Sequence, residues 1–150
     1  MLKTLNDQVR KAKVKILVVD DEPAVREVLR DILEEEGVTA VLAASGDDGL
    51  RLFLREEFDA VFTDLGMPGM NGWEMIERIR EVNDQMFIAV ITGWGAEVSS
   101  ARREAARVNI VLAKPFTCES VVKTVGLAVQ HVQTGEMSKA QAHRKHFFAG

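Results

Sequence analysis

Five short oily runs, each followed by a stretch of helical periodicity, constrain this chain more than any other feature. They are Lys15–Asp20, Thr39–Ala44, Ala60–Asp64, Phe87–Thr92 and Asn109–Ala113. They are rich in β-branched residues, and they lack the polar alternation of a strand with one wet face. Runs of this kind suit strands covered on both sides, as in a parallel sheet. Between them, Pro23 suits a first helical turn, and Ala24, Val25, Val28, Leu29, Ile32 and Leu33 recur at helical spacing up to Gly37. Ser45 is placed to cap a second helix through Arg55, with Leu50, Phe53 and Leu54 inward. Asn71 caps a third, with Met75, Ile76, Ile79 and Val82 inward. A fourth runs roughly from Ala96 to Ala106, with Val98 as its one large aliphatic, and is expected to pack loosely. Thr117 caps a fifth, carrying Val121, Val122, Val125, Ala128, Val129 and Val132.

This alternation predicts an α/β fold. The expected form is a three-layer flavodoxin-like sandwich, with a five-stranded parallel sheet in the order 2-1-3-4-5 and five helices. The chain has 150 residues, enough for one self-sufficient core. The domain is expected over 15–132, with a basic leader over 1–14 and a tail over 133–150 expected to be disordered. Charge divides the same way. Residues 16–132 carry 11 basic against 21 acidic side chains, and both ends are net positive. So acidic a body argues against direct nucleic-acid binding. No apolar run is long enough to insert in a membrane, and no secretory leader is visible. The single cysteine, Cys118, forms no intrachain disulfide and fits a cytoplasmic protein.

In such sheets ligands bind beyond the C-terminal strand ends. There the sequence puts Asp20 and Asp21 after the first strand, Asp64 after the third, Thr92 on the fourth and Lys114 after the fifth. Three carboxylates brought together repel, and a hard divalent cation relieves them. Mg2+, with Mn2+ as a substitute, takes oxygen ligands and one or two protein carboxylates. Asp21 and Asp64 are the candidate direct ligands, Asp20 a ligand through water, and the Gly66 carbonyl a third protein ligand. Asp64 is also a candidate nucleophile, since a carboxylate can attack phosphorus to give an aspartyl-phosphate. The cation, the Lys114 ammonium, and the Thr92 hydroxyl or a backbone N–H would then each neutralise one phosphoryl oxygen.

The segments "ILVVDDEP", "DAVFTDLGMPGMNGWE", "VITGWG" and "LAKPFT" resemble the signature segments of response-regulator receiver domains, the phosphoacceptor modules of two-component signalling. The likeness covers about residues 15 to 132. It implies that Asp64 is phosphorylated from a phosphohistidine on a kinase or phosphotransfer protein. Asp20 and Asp21 would form the metal pocket, and Thr92 and Lys114 would read the phosphoryl group. It implies a cis bond at Lys114-Pro115. It also implies a switch that controls a downstream partner or an attached output domain, with no enzymatic output of its own. Copies of such domains often pair through the fourth helix, fifth strand and fifth helix, where Arg102, Arg103, Glu104 and Arg107 lie. Three positions set this chain apart within the pattern. Val111 stands where receivers usually carry a switching Tyr or Phe. Gly66 and Trp94 occupy the positions that tune phosphoryl lifetime, and Trp94 is expected to hinder water.

Rival readings predict other residues. A haloacid-dehalogenase-type phosphatase needs a second Asp two positions after its strand-1 nucleophile, and here Glu22 or Pro23 stands there. A flavin phosphate needs a Ser/Thr/Gly-rich loop where this chain puts acids. A phosphorylation-independent pseudo-receiver predicts loss of a site residue, and none is missing.

Overall fold

The computed structural model describes residues 13–93 and 98–148, with side chains described up to 135. Along it run β1 (Lys15–Val19), α1 (Pro23–Glu35), β2 (Thr39–Ala43), α2 (Gly46–Arg55), β3 (Ala60–Thr63), α3 (Gly72–Val82), β4 (Phe87–Thr92), α4 (Ser100–Ala106), β5 (Ile110–Ala113) and α5 (Cys118–Phe148). The strands make one parallel sheet in the order β2-β1-β3-β4-β5, the expected arrangement.

Strand geometry divides β1 between two cores. Ile16 and Val18 join Leu29 and Leu33 of α1 and Val121, Val125 and Val129 of α5. Leu17 and Val19 join Phe53 of α2 and Met75, Ile76 and Ile79 of α3. With both faces dry, a polar alternation would bury polar groups, so the run is apolar throughout. Each fully buried aliphatic is worth about 1.5–3 kcal/mol, which makes β1 the spine of the fold.

The helix starts follow the sequence. Ser45 Oγ accepts from the Asp48 N–H and Asn71 Oδ1 from the Glu74 N–H. Thr117 Oγ1 accepts from the Ser120 N–H, while Ser120 Oγ accepts from the Thr117 N–H. That reciprocal pair is a capping box with Ser in the third position.

Other details need correction. Leu54 and Val82, expected inward, are about 60% exposed. The buried stripe of α2 runs through Gly46, Gly49 and Phe53, and Val82 is the last residue of α3. Val28 is half-exposed. Helix α4 starts at Ser100 under a Ser99 cap, later than expected, and Val98 packs on the α3-side core from ahead of it. Ser99 offers N-cap chemistry that Ala96 lacks. Helix α5 continues past Val132 to Phe148. That extension contains Glu, Lys, Ala, Gln and Arg and no proline, a composition favouring helix. Val14, at the end of the leader, is buried, and its carbonyl accepts from the Thr39 N–H. Residues 1–12 of the leader lie outside the described residues.

Helix α4 buries none of its residues. Its C-terminal end is held by Arg80 of α3. The guanidinium donates from Nε to the Ala106 carbonyl (3.2 Å) and from Nη2 to the Arg107 carbonyl (2.5 Å). A third bond, from Nη1, reaches the Met86 carbonyl just ahead of β4 (2.6 Å). Burial, then the nearby Arg107 charge, lowers the Arg80 pKa to about 10, with Asp84 opposing. The group therefore stays charged at neutral pH, and its hydrogen bonds to carbonyls are charge-assisted.

Candidate functional site

The sheet's hydrogen bonding continues past the strand ends and fixes the carboxylates. The Asp20 N–H donates to the Ala43 carbonyl (3.2 Å), the Asp64 N–H to the Val19 carbonyl (3.0 Å) and the Lys114 N–H to the Thr92 carbonyl (3.0 Å). Asp20, Asp64 and Thr92 are buried, whereas Asp21 and Glu22 are exposed at the rim.

One ammonium joins them. Lys114 Nζ donates to Asp64 Oδ2 (2.7 Å) and Asp20 Oδ2 (2.8 Å), and lies 3.5 Å from Glu22 Oε1. The other carboxylate oxygens are also held. Asp64 Oδ1 accepts from the Leu65 N–H (2.6 Å), and Asp20 Oδ1 from the Glu22 N–H (2.9 Å). Burial raises the Asp20 pKa above the usual carboxylate range, against the hydrogen bonds from Lys114 and the Glu22 amide. Burial by itself would lower the Lys114 pKa, but hydrogen bonds and charge from Asp20 and Asp64 outweigh it and raise it. The lysine is thus a fixed cation.

It is too little charge for its surroundings. One oxygen each from Asp20, Asp21, Glu22 and Asp64 lie within 4.8 Å of one another. Four carboxylates against one ammonium leave an excess of anionic oxygen, with no nitrogen or sulfur ligand among these four. That donor set fits a hard divalent cation such as Mg2+ or Mn2+.

Glu22 is the cluster member that sequence reasoning left out of the ligand set. Pro23 puts Glu22 at the N-cap of α1, and its side chain makes no capping bond. Glu is not among the preferred N-caps, so its carboxylate is not used by the helix. The other expected residues are placed as follows. Gly66 is half-buried, two residues beyond Asp64. Val111 pairs with Val90 across the sheet and packs on the α3-side core. Lys114-Pro115 is a cis peptide. Trp94 lies outside the described residues.

Gly72 is a second residue missed from the sequence. Its N–H donates to the Leu65 carbonyl at 2.9 Å. A Cβ built there would lie 2.1 Å from the Asp64 carbonyl oxygen and 2.8 Å from Leu65 Cα. The start of α3 is therefore in direct backbone contact with the Asp64 turn.

The match to known proteins agrees with this geometry. Residues 16–126 match the family described as the response regulator receiver domain. The transcriptional regulatory protein ResD of Bacillus subtilis is 35% identical over 113 residues, which are 75% of this chain and 47% of ResD. The sporulation initiation phosphotransferase F of the same organism is 28% identical over 71% of this chain and 86% of its own length. The response regulator TrrA of Thermotoga maritima, solved in complex with Mg(2+)-BeF, superposes with a TM-score of 0.71 at 31% identity. That superposition covers 77% of this chain and 98% of the TrrA chain. This chain spans about half the length of ResD. No helix among the described residues is long and apolar enough to cross a membrane. With the doubly wound sheet, the acids at its switch point and the match over most of its length, this chain belongs to the response regulator receiver domain family of two-component signalling.

Proposed function

We propose that the domain accepts a phosphoryl group from a phosphohistidine onto Asp64 in a Mg2+-dependent reaction, and switches conformation to control a partner or an attached domain. The observation that carries this reading is the Lys114 ammonium, hydrogen-bonded at once to Asp64 and Asp20. An Asp64 carboxylate oxygen forms the new O–P bond as the P–N bond breaks. The departing imidazole nitrogen keeps the electron pair and takes a proton.

Each residue has a part in that transfer. Asp20, Asp21, Asp64 and the Gly66 carbonyl would hold the cation, with Glu22 adding negative charge at the rim. When bound, the cation supplies positive charge against the phosphoryl oxygens. Lys114 neutralises a second oxygen, and the Thr92 hydroxyl donates to a third. This is stabilisation by preorganised charge, which needs no proton transfer from the protein. The Mg(2+)-BeF complex of TrrA supports the choice of metal. Pairing of two copies through α4, β5 and α5 belongs to the same reading, and Arg102, Arg103 and Arg107 are exposed there.

The direct test is intact mass after incubation with a small acyl-phosphate donor. A gain of one phosphoryl group is expected with Mg2+ and not with a chelator. No gain under either condition would leave a phosphorylation-independent interaction module. Lys114→Met supplies a graded companion. Losing one fixed cation at a transferring phosphoryl group should slow uptake by about 10²-fold. In chelator the variant should also be destabilised by roughly 3 kcal/mol, because two buried carboxylates lose their partner. Mg2+ should restore more stability to this variant than to wild type, read by melting with and without the metal.

A further inference from the structure

Resting on that reading, we infer that the Trp73–Arg102 contact carries the state of Asp64 to α4, so that α4 docks on the unphosphorylated domain and loosens on the phosphorylated one. Three contacts and one peptide link make a continuous path. Asp64 Oδ1 accepts from the Leu65 N–H at 2.6 Å. The Leu65 carbonyl accepts from the Gly72 N–H at 2.9 Å. Gly72 is bonded to Trp73, which is partly buried against the α3-side core. The Arg102 guanidinium of α4 lies over the Trp73 ring, 4.7 Å from its centroid.

The first contact is sensitive to phosphorylation whichever Asp64 oxygen carries phosphorus. Acyl-phosphate formation removes the carboxylate's own charge, and the Leu65 N–H exchanges a charge-assisted acceptor for a neutral one. The Leu65 backbone is free to follow only with Gly72, because the Gly72 Cα is seated on the Asp64 and Leu65 backbone. The last contact joins the least secured element of the fold. Helix α4 buries no residue. Its C-terminal end is tied by Arg80, but the Arg102 turn rests on the indole face. A cation–π contact at so exposed a site shifts a docking equilibrium about two- to five-fold, enough to be biased by one hydrogen bond. Val111, on the strand beside α4, is aliphatic and adds no polar link.

The chain has two tryptophans, so Trp94→Phe leaves Trp73 as the reporter. Acetyl phosphate and Mg2+ are added while emission is followed, and intact mass is taken from the same samples. Trp73 emission is expected to change in step with phosphoryl uptake. In Arg102→Gln the emission change should fall at least about two-fold at unchanged uptake. In Arg103→Gln it should persist, because Arg103 bonds to the Asn109 carbonyl instead. Hydrogen exchange of residues 100–107 in the chain with both tryptophans is the companion measurement. Phosphorylation should speed it in wild type, and Arg102→Gln should exchange at the faster rate without any donor. Uptake without an emission change, or an equal change in Arg102→Gln, overturns the coupling and leaves the phosphoacceptor reading standing. Absence of uptake overturns that reading, and the coupling with it.

Discussion

Asp64→Asn should take up no phosphoryl group, yet melt no lower than wild type in chelator. The chemical half follows from the nucleophile. An amide oxygen carries no full negative charge, and attack on phosphorus stops with it. The stability half depends on which electrostatic term wins. Asn keeps an oxygen for the Leu65 N–H, and Lys114 keeps Asp20 at 2.8 Å. What disappears is one of four carboxylates whose oxygens lie within 4.8 Å of one another. One ammonium cannot neutralise four such charges, so removing one relieves repulsion. The Mg2+-induced rise in melting temperature should shrink in the same variant, since a charged ligand is gone. Intact mass and thermal melts with and without Mg2+ read all of this. A variant that still gains phosphoryl mass would falsify the assignment of Asp64.

Gly72→Ala should be the most destabilising single-methyl change at the site, by roughly 3–4 kcal/mol or more. Helix propensity alone favours the opposite sign, because Ala exceeds Gly by about 1 kcal/mol in a helix. Sterics decide. The new Cβ would meet the Asp64 carbonyl oxygen at 2.1 Å and Leu65 Cα at 2.8 Å, and both are backbone atoms of the central strand's exit. Neither can rotate away as a side-chain tip does. Gly135→Ala is the matched control. A Cβ there has nothing within 4 Å and sits on the exposed part of α5, so propensity acts unopposed and should stabilise. Urea unfolding of the two variants measures both signs. Equal stability of Gly72→Ala and wild type would mean the Asp64 turn yields easily.

How much was legible in the sequence follows from how local each cause is. A strand dry on both faces must be continuously apolar, so β1, β3 and β4 announced themselves. Parallel order and handedness then put Asp20, Asp64, Thr92 and Lys114 on one rim, and the ladder bonds at Val19, Ala43 and Thr92 bring the chain there. Helix ends were less readable. Ser99 and Ser100 open a short, alanine-rich segment without strong periodicity, so the sequence does not separate the cap from the residues before it. Leu54 and Val82 are apolar but sit one step around the helix from the buried stripe or at its last turn. Gly72 left no readable mark, since its need for a bare Cα comes from a backbone eight residues earlier. Arg80 is equally silent, because the Met86, Ala106 and Arg107 carbonyls among its acceptors belong to segments that only the fold assembles.

The Arg80 clamp has a mechanical consequence. Helix α4 is about 10 Å long at ~1.5 Å per residue, and it is pinned at Ala106 and Arg107. A rod fixed at one end turns small rotations into displacements that grow toward its free tip. Any tilt of α4 is therefore felt least beside β5 and most near Ser100, where a surface that recognised tilt would have to make its reading.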